Sequence, residues 1–184
     1  DLARELGLPL LELDDLGPSM AGSTQPIAIT IDGADEIDGS LQLSKGGGGA
    51  LLFEKLVAQA SRHMVVIADE QKVVKTIGDA RPLAIEVVSF GAQHTLARIT
   101  QLPQIKSAQL RRAAQSDALF RTDSGHFIVD AQLQLDASEA AARTLHRELK
   151  LLLGVVETGL FCHEATMAFV GQPDGTARRI SRES

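Results

Sequence analysis

The sequence predicts an α/β protein, and three observations carry that prediction. Residues 27–32 (IAITID) are β-branched and nearly all apolar, as expected of a strand buried on both faces of a parallel sheet. Residues 46–49 are four consecutive glycines, and residues 50–60 (ALLFEKLVAQA) have the composition and spacing of a helix. A second apolar run, 63–70 (HMVVIADE), follows the helix. The order strand, loop, helix, strand indicates a βαβ unit and a largely parallel, helix-covered sheet.

The composition limits the partners of this chain. The 184 residues are 44% hydrophobic and 23% charged, which suits a folded protein with one core, or a core and a smaller lobe. A net charge of −6 and the lack of Trp and Tyr argue against binding to nucleic acid. No apolar run is long enough to cross a bilayer, so we expect no membrane partner. The single Cys162 and the lack of a signal-peptide pattern favour the cytoplasm.

The N-terminal region precedes the βαβ unit. Residues 1–13 resemble the end of a helix that runs into a short strand, LPLLEL (8–13), and residues 14–26 are rich in turn formers. Residues 41–44 (LQLS) predict one more short strand before the glycines. Because a domain rarely begins inside a helix, we expect an upstream piece of the sheet to be missing.

The sequence changes character after Pro82. Its order of strand, helix, strand, strand and helix predicts a small antiparallel α+β lobe, followed by further strands and a polar tail. Asp123, Ser124 and Gly125 form the predicted hairpin turn, and Ser138 is the predicted N-cap of the last helix. The segments concerned are 83–90, 93–102, 120–133 and 138–152 for the lobe, 154–161 and 164–171 for the strands, and 174–184 for the tail.

The four glycines indicate a binding loop. Glycine runs are favoured where the backbone has positive φ or approaches a ligand closely, and N–H groups before a helix attract anions. Lys45 precedes the run, so its spacing is neither that of a Walker loop nor that of a dinucleotide fingerprint. A flexible loop without a ligand is the alternative.

Acidic residues lie on both sides of this loop. Asp32 and Asp35 follow the buried strand, and like charges so close together require solvent, protons, cations or sugar hydroxyls. Glu54 has only apolar residues three and four positions away, which would raise its pKa and suit a general base. For the two aspartates, the alternative is an acidic surface turn. For Glu54, the alternative is a side chain that faces solvent. Lys72, after the strand at 63–70, is a weaker candidate cation.

We predict no metal site. The aspartates lack the order of a calcium-binding loop, and the histidines lack metal-ligand spacing. The histidines are His63, His94, His126, His146 and His163.

Six segments together resemble the A-type ribose-5-phosphate isomerase family: IDGADEID, KGGGGALLFEK, VVIADEQK, PLAIEV, RTDSGHFIVD and GVVETGLF. They occur in the family's order over nearly the whole chain, and the pair DGADE and KGGGGALLxEK is highly specific. The resemblance implies a Rossmann-like parallel sheet with an inserted ferredoxin-like α+β lobe. It places the catalytic domain at residues 1–82 and 155–184, truncated at its N-terminus, and the lobe at 83–154.

The resemblance also implies the chemistry. Family members interconvert D-ribose 5-phosphate and D-ribulose 5-phosphate through a cis-enediolate, without metal or organic cofactor, and usually form homodimers or homotetramers. Glu54 matches the family's base, Asp32 and Asp35 assist it, and Lys72 adds a cation. The implied substrate-binding residues are Asp32, Gly33, Ala34, Asp35, Lys45, Gly46, Gly47, Gly48 and Lys72.

The sequence departs from the family at several points. The family has an upstream strand and a Gly-Thr-Gly-Ser-Thr-like loop that supplies part of the phosphate site, and neither is present in these 184 residues. Ser124, His126 and Phe53 also differ from the usual pattern. A sugar-phosphate-binding regulatory module without catalysis is therefore one alternative. An acyl or CoA transferase with a glutamate nucleophile is another.

Overall fold

A computed structural model describes residues 2–16 and 26–181, and within these ranges it contains three β-sheets and four α-helices. The helices are α1 (Leu2–Glu5), α2 (Leu51–Gln59), α3 (Ala92–Ile99) and α4 (Glu139–Lys150). The strands are β1 (Thr30–Asp32), β2 (Glu36–Ile37), β3 (Leu43–Ser44), β4 (Met64–Asp69), β5 (Leu83–Val87), β6 (Ile105–Leu110), β7 (Phe127–Leu133), β8 (Val155–Thr158), β9 (Leu160–Phe161), β10 (Ala165–Gly171) and β11 (Ala177–Ser181).

The first sheet has the strand order β1-β4-β10-β11. Strands β1, β4 and β10 are parallel, with Asp32 opposite Val66, and β11 is antiparallel to β10. The predicted parallel sheet is confirmed. Because parallel strands share a carboxyl edge, the residues after β1 and the residues after β4 leave the sheet on the same side.

The second sheet is antiparallel and has the strand order β6-β7-β5-β8. With α3 after β5 and α4 after β7, its chain order is βαββαβ, which is the predicted ferredoxin-like arrangement. Strand β8 lies just beyond the predicted lobe boundary at residue 154, and it pairs with β5 of this sheet.

A third, short sheet connects the other two. It consists of β2, β3 and β9, and Leu43 of β3 is opposite Phe161 of β9. Strand β9 follows β8 after a single residue, Gly159, so the chain passes directly from the antiparallel sheet to the short sheet.

Each of the larger sheets has its own hydrophobic core. The antiparallel sheet packs against α3 and α4 through residues such as Ile85, Ile99 and Leu145. A second core contains Val66, Ala168 and Phe161, and so joins the parallel sheet to the short one. The lysine and glycines of residues 45–49 lie between β3 and α2 in the chain.

Several predictions of local structure were wrong. Residues 8–12 form no strand, and residues 13–16 form a 3₁₀ turn, since Leu8, Leu10 and Leu11 are exposed and have no buried face to share. The predicted polar tail contains β11, because the Asp174–Gly175 turn returns the chain to the free edge of β10. The predicted turn-rich segment at 14–26 lies mostly outside the described residues.

The sequence analysis missed strand β6, but it correctly predicted the turn of Asp123, Ser124 and Gly125 that precedes β7. The partner of β7 is mainly Ile105–Leu110, and the residues that precede the predicted turn contribute only isolated bridges such as Arg121 to Phe127. The turn itself is confirmed, with the Gly125 N–H donating to the Thr122 carbonyl at 2.8 Å. β6 was missed because IKSAQL has polar residues at the positions where a buried strand would be apolar.

Among the described residues, no helix is long and apolar enough to span a membrane.

Candidate active site

Lys45 lies at the centre of the candidate site. Its side chain is 4% exposed, and its Nζ is 3.0 Å from Asp32 Oδ2 and 3.3 Å from Glu54 Oε1. The same Nζ donates to the Gly33 carbonyl at 2.6 Å. A buried ammonium with two carboxylates and a carbonyl around it is well compensated. Lys45 therefore brings the end of β1 and the first turn of α2 to one point.

The end of β1 supplies the first wall. Asp32 is the last residue of β1, its Oδ1 accepts from the Gly33 N–H at 2.7 Å, and its side chain is 29% exposed. Gly33 runs close to strand β4, where a Cβ on Gly33 would lie 3.9 Å from the Ile67 carbonyl oxygen. Ala34 is buried, so only its backbone is suited to a ligand.

Glu54 lies on the first full turn of α2 and is half-buried, with 28% of its side chain exposed. Burial raises its pKa above the usual value, while the Lys45 ammonium lowers it and the Asp32 charge raises it further. Its Oε2 is buried and has no hydrogen-bond partner among the described residues. The raised pKa predicted from the sequence is confirmed, and the carboxylate does not simply point into solvent.

Asp35 holds the glycine loop. Its Oδ2 accepts from the Gly47 N–H at 2.7 Å, and its own N–H donates to the Ser44 carbonyl at 2.8 Å. A Cβ on Gly47 would lie 2.8 Å from Asp35 Oδ1, so a larger residue at position 47 would require the Asp35 carboxylate to shift.

The glycine loop is tightly packed at its two ends and open in the middle. Gly46 and Gly49 have φ of +102° and +87°, and a Cβ on either would overlap neighbouring side chains. Gly48 is exposed and nothing lies within 4 Å of the place for its Cβ. The following N-cap, Ala50, makes no side-chain capping bond, which leaves the first N–H groups of α2 free to bind an anion.

Lys72 ends a 3₁₀ turn that directly follows β4. It is partly exposed and lies on the same carboxyl edge of the parallel sheet as Asp32, but it takes no part in the contacts of Lys45. In the structure, Asp32, Gly33 and Glu54 contact Lys45 directly. Asp35 and Gly47 contact each other beside this group. Lys72 lies apart from it, on the edge of the sheet.

Sequence reasoning missed two residues near this site, Arg111 and Lys55. Arg111 donates to the carbonyls of the glycine loop, and Lys55 lies 4.7 Å from the centroid of the Phe161 ring, on which Lys45 also packs. Their sequence surroundings resemble ordinary surface and core segments. The proximity of Arg111, which directly follows β6, to Asp130 of β7 becomes visible only once the register of β6 and β7 is known.

Described residues 2–16 and 26–181 contain no group of three or more His, Cys, Asp or Glu suited to hold a metal ion. The chemistry available here is that of a carboxylate with a raised pKa beside a buried ammonium and free N–H donors. This combination can remove a proton from carbon and stabilise the oxyanion that results.

Residues 1–175 match the family model for ribose 5-phosphate isomerase A, also called phosphoriboisomerase A. The chain belongs to this family. As a ribose 5-phosphate isomerase A, it is an aldose-ketose isomerase that interconverts ribose 5-phosphate and ribulose 5-phosphate.

Relatives of the isomerase support the assignment. The ribose-5-phosphate isomerase A of Agrobacterium fabrum is 46% identical over 177 residues, which is 95% of this chain and 71% of the relative. The enzyme of Deinococcus radiodurans is 42% identical over 174 residues, 95% of this chain and 70% of the relative.

Solved structures of ribose 5-phosphate isomerases share the fold. The Plasmodium falciparum structure superposes with a TM-score of 0.86 at 31% identity and covers 100% of this chain and 74% of its own. A D-ribose-5-phosphate isomerase in complex with phospho-erythronic acid gives 0.86 at 31% identity, over 98% of this chain and 73% of its own.

Proposed function

We propose that Glu54 is the base that moves the proton between C2 and C1 of the open-chain sugar, through a cis-enediolate. The observation that carries this is the position of Glu54: its carboxylate is half-buried, has a raised pKa, and lies 3.3 Å from the buried Lys45 ammonium. A carboxylate whose pKa is raised towards neutrality can both accept and return a proton.

Lys45 stabilises the negative charge that develops on the substrate. As the enediolate forms, charge accumulates on O1 or O2, and a desolvated ammonium next to the base lowers the energy of that state. Asp32 keeps the ammonium in place, because Lys45 Nζ is 3.0 Å from Asp32 Oδ2. The Lys45 charge is thus fixed before substrate arrives and needs no reorganisation during the reaction.

Asp32 and Asp35 transfer the hydroxyl proton between O1 and O2 or assist ring opening. Asp32 is adjacent to Lys45, and Asp35 is one hydrogen bond away from the glycine loop. The loop binds the sugar phosphate through Gly46, Gly47 and Gly48, and Lys72 adds a positive charge from the end of β4. Gly33 and Ala34 contribute backbone contacts.

The ligand of a relative fits this chemistry. One solved D-ribose-5-phosphate isomerase structure is a complex with phospho-erythronic acid, a phosphorylated sugar acid. We infer that this chain binds the same class of compound, because a planar carboxylate resembles the two oxygens of an enediolate. Such a compound would be a competitive inhibitor.

Kinetics of the full-length protein test this assignment. Glu54→Gln should lower kcat for ribose 5-phosphate on the order of 10²- to 10⁴-fold with little change in KM, because the base acts on the transition state. The control is Glu70→Gln, an exposed acid after β4 that should keep wild-type rates. Full activity in Glu54→Gln would refute Glu54 as the base.

A regulatory module that binds sugar phosphate without turnover is not favoured by the family assignment. Calorimetry with ribose 5-phosphate, run together with the activity assay, distinguishes an isomerase from a module that only binds. Binding without isomerisation in the full-length protein would support the module.

The remaining proposals concern the whole protein. We expect a cytoplasmic homodimer or homotetramer, without nucleic-acid or membrane partners. We also expect that residues 1–82 and 155–184 form the catalytic domain and 83–154 the lobe. In this division, β8 belongs to the catalytic domain but pairs with β5 of the lobe, so it connects the domain and the lobe.

A further inference from the structure

Arg111 contacts the glycine loop from the antiparallel sheet. It directly follows β6, and its Nη1 donates to the Gly46 carbonyl at 2.9 Å and to the Gly47 carbonyl at 3.0 Å. Arg111 is 65 positions from Gly46 in sequence, so this contact joins the lobe to the loop of the candidate site.

Asp130 fixes the Arg111 guanidinium in place. Arg111 Nε donates to Asp130 Oδ2 at 2.9 Å and Nη2 to Asp130 Oδ1 at 2.5 Å, a bidentate pair between the residue after β6 and a residue of β7. The side chains are 14% and 18% exposed. Such a fork is rigid, and its charge is largely neutralised by the carboxylate. Arg111 therefore acts on the loop by geometry more than by its net charge.

The orientation of the glycine-loop peptides shows the effect of the hydrogen bonds from Arg111. The C=O and N–H of a trans peptide point in opposite directions. Since the Gly46 carbonyl faces Arg111, the Gly47 N–H faces the other way, and there it donates to Asp35 at 2.7 Å. The Gly47 carbonyl also faces Arg111, so the Gly48 N–H is directed away from it. That N–H has no backbone or side-chain acceptor among the described residues.

Phe120 supports the same arrangement. The Arg111 guanidinium lies 5.6 Å from the centroid of the Phe120 ring, and a Cβ on Gly49 would lie 2.5 Å from Phe120 Cε1. The far end of the loop is thus packed on the ring on which Arg111 stacks.

We propose that Arg111 is a positioning residue of the substrate site, which holds two glycine peptides so that the Gly48 N–H faces the phosphate group of the substrate. This inference rests on the proposed function, in which the glycine loop binds the sugar phosphate. Phosphate is bound equally in the ground state and the transition state, so a misplaced N–H weakens binding and leaves the chemical step unchanged.

The test is Arg111→Lys, with Arg112→Lys as the matched control, because Arg112 is the adjacent residue and its side chain is 63% exposed. Lysine keeps the charge opposite Asp130 but cannot reach it and two carbonyls together. We expect KM for ribose 5-phosphate to rise on the order of 10-fold or more in Arg111→Lys, with kcat within a few-fold and Arg112→Lys unchanged. Unchanged kinetics, or a fall in kcat alone, would overturn the proposal.

A second readout does not depend on turnover. Amide resonances of Gly47 and Gly48 are followed by NMR while inorganic phosphate is added to both variants and to the unchanged protein. We expect the Gly48 shift to saturate at higher phosphate in Arg111→Lys, and the Gly47 amide to exchange faster there. Equal titrations and equal exchange would contradict the role of Arg111. Loss of isomerisation in the unchanged protein would instead count against the proposed function.

Discussion

At the residue scale, Glu54 is held in an environment that disfavours its charge. Burial is the largest influence on its pKa, and Asp32 and Asp35 act in the same direction, while Lys45 opposes them. The Glu54 Oε2 atom is buried and has no hydrogen-bond partner among the described residues. This agrees with a raised pKa, because an ionised carboxylate usually has its oxygens hydrogen-bonded. Lys45 therefore sets how far the pKa rises.

This balance predicts the pH dependence of the enzyme. The acid limb of kcat/KM should lie above the usual glutamate pKa of 4.5, since Glu54 must be ionised to act as base. In Lys45→Met the attraction that lowers the Glu54 pKa is removed, so the limb should move to higher pH while the maximum rate falls. A limb that moves to lower pH would show that Lys45 does not lower the pKa of the base.

The same shift has a consequence for folding. The folded-state pKa of Glu54 lies above its unfolded value, so its protonation stabilises the fold below the unfolded pKa, and this contribution is lost as pH rises through the folded pKa. Above the folded pKa this contribution is gone, so Glu54→Gln should lose no stability through this linkage there.

At the element scale, the site depends on where β8 ends and β9 begins. Gly159 lies between them, its N–H donates to the Ala84 carbonyl at 2.8 Å, and its carbonyl accepts from the Lys45 N–H at 2.9 Å. One residue thus joins β5 of the lobe to the backbone of the central lysine. Helix α2 is held to the same region by Lys55, whose Nζ donates to the Thr158 and Leu160 carbonyls at 2.7 Å and 2.8 Å.

Gly159→Ala should disturb both fold and site. A Cβ at this position would overlap the Lys45 carbonyl oxygen and lie 3.1 Å from the Ala84 carbonyl oxygen, both backbone atoms. We expect the free energy of unfolding to fall by roughly 2 kcal/mol, as in overpacked cores, and kcat/KM to fall with it as Lys45 moves. Denaturant unfolding and steady-state kinetics measure the two effects.

Gly39→Ala is the control for this change. Nothing lies within 4 Å of a Cβ at Gly39, and its φ is not positive. Equal stability of the Gly159→Ala and Gly39→Ala variants would show that the close packing at Gly159 is not required.

At the scale of the whole molecule, the four acids between positions 32 and 38 have different roles, and they are Asp32, Asp35, Glu36 and Asp38. Asp32 and Asp35 face the site, whereas Glu36 is 1% exposed and accepts from the Gly78 and Ala80 N–H groups, each at 2.7 Å. Asp38 accepts from the N–H groups of its own turn, such as Gln42 at 2.9 Å. The like charges are therefore compensated separately, with two of the four serving structure.

The sequence allowed the parallel sheet, α2 and the lobe to be predicted, because each depends on local periodicity. It also indicated that the end of β1 and the start of α2 meet, since both lie at one edge of a βαβ unit. The interactions of Arg111 and Gly159 could not be predicted in this way. They depend on the register between distant strands, and no local pattern encodes that register.

The central claim is that Glu54 carries the proton between C2 and C1, and isomerisation in deuterium oxide tests it most directly. The product ribulose 5-phosphate is analysed for deuterium at C1, in the full-length protein and in Glu54→Gln. We predict that part of the product carries deuterium at C1 with the unchanged protein, because the proton held by Glu54 exchanges with solvent before it is returned. In the variant, both turnover and incorporation should fall on the order of 10²-fold or more. Turnover or incorporation by Glu54→Gln at the wild-type rate would contradict the claim.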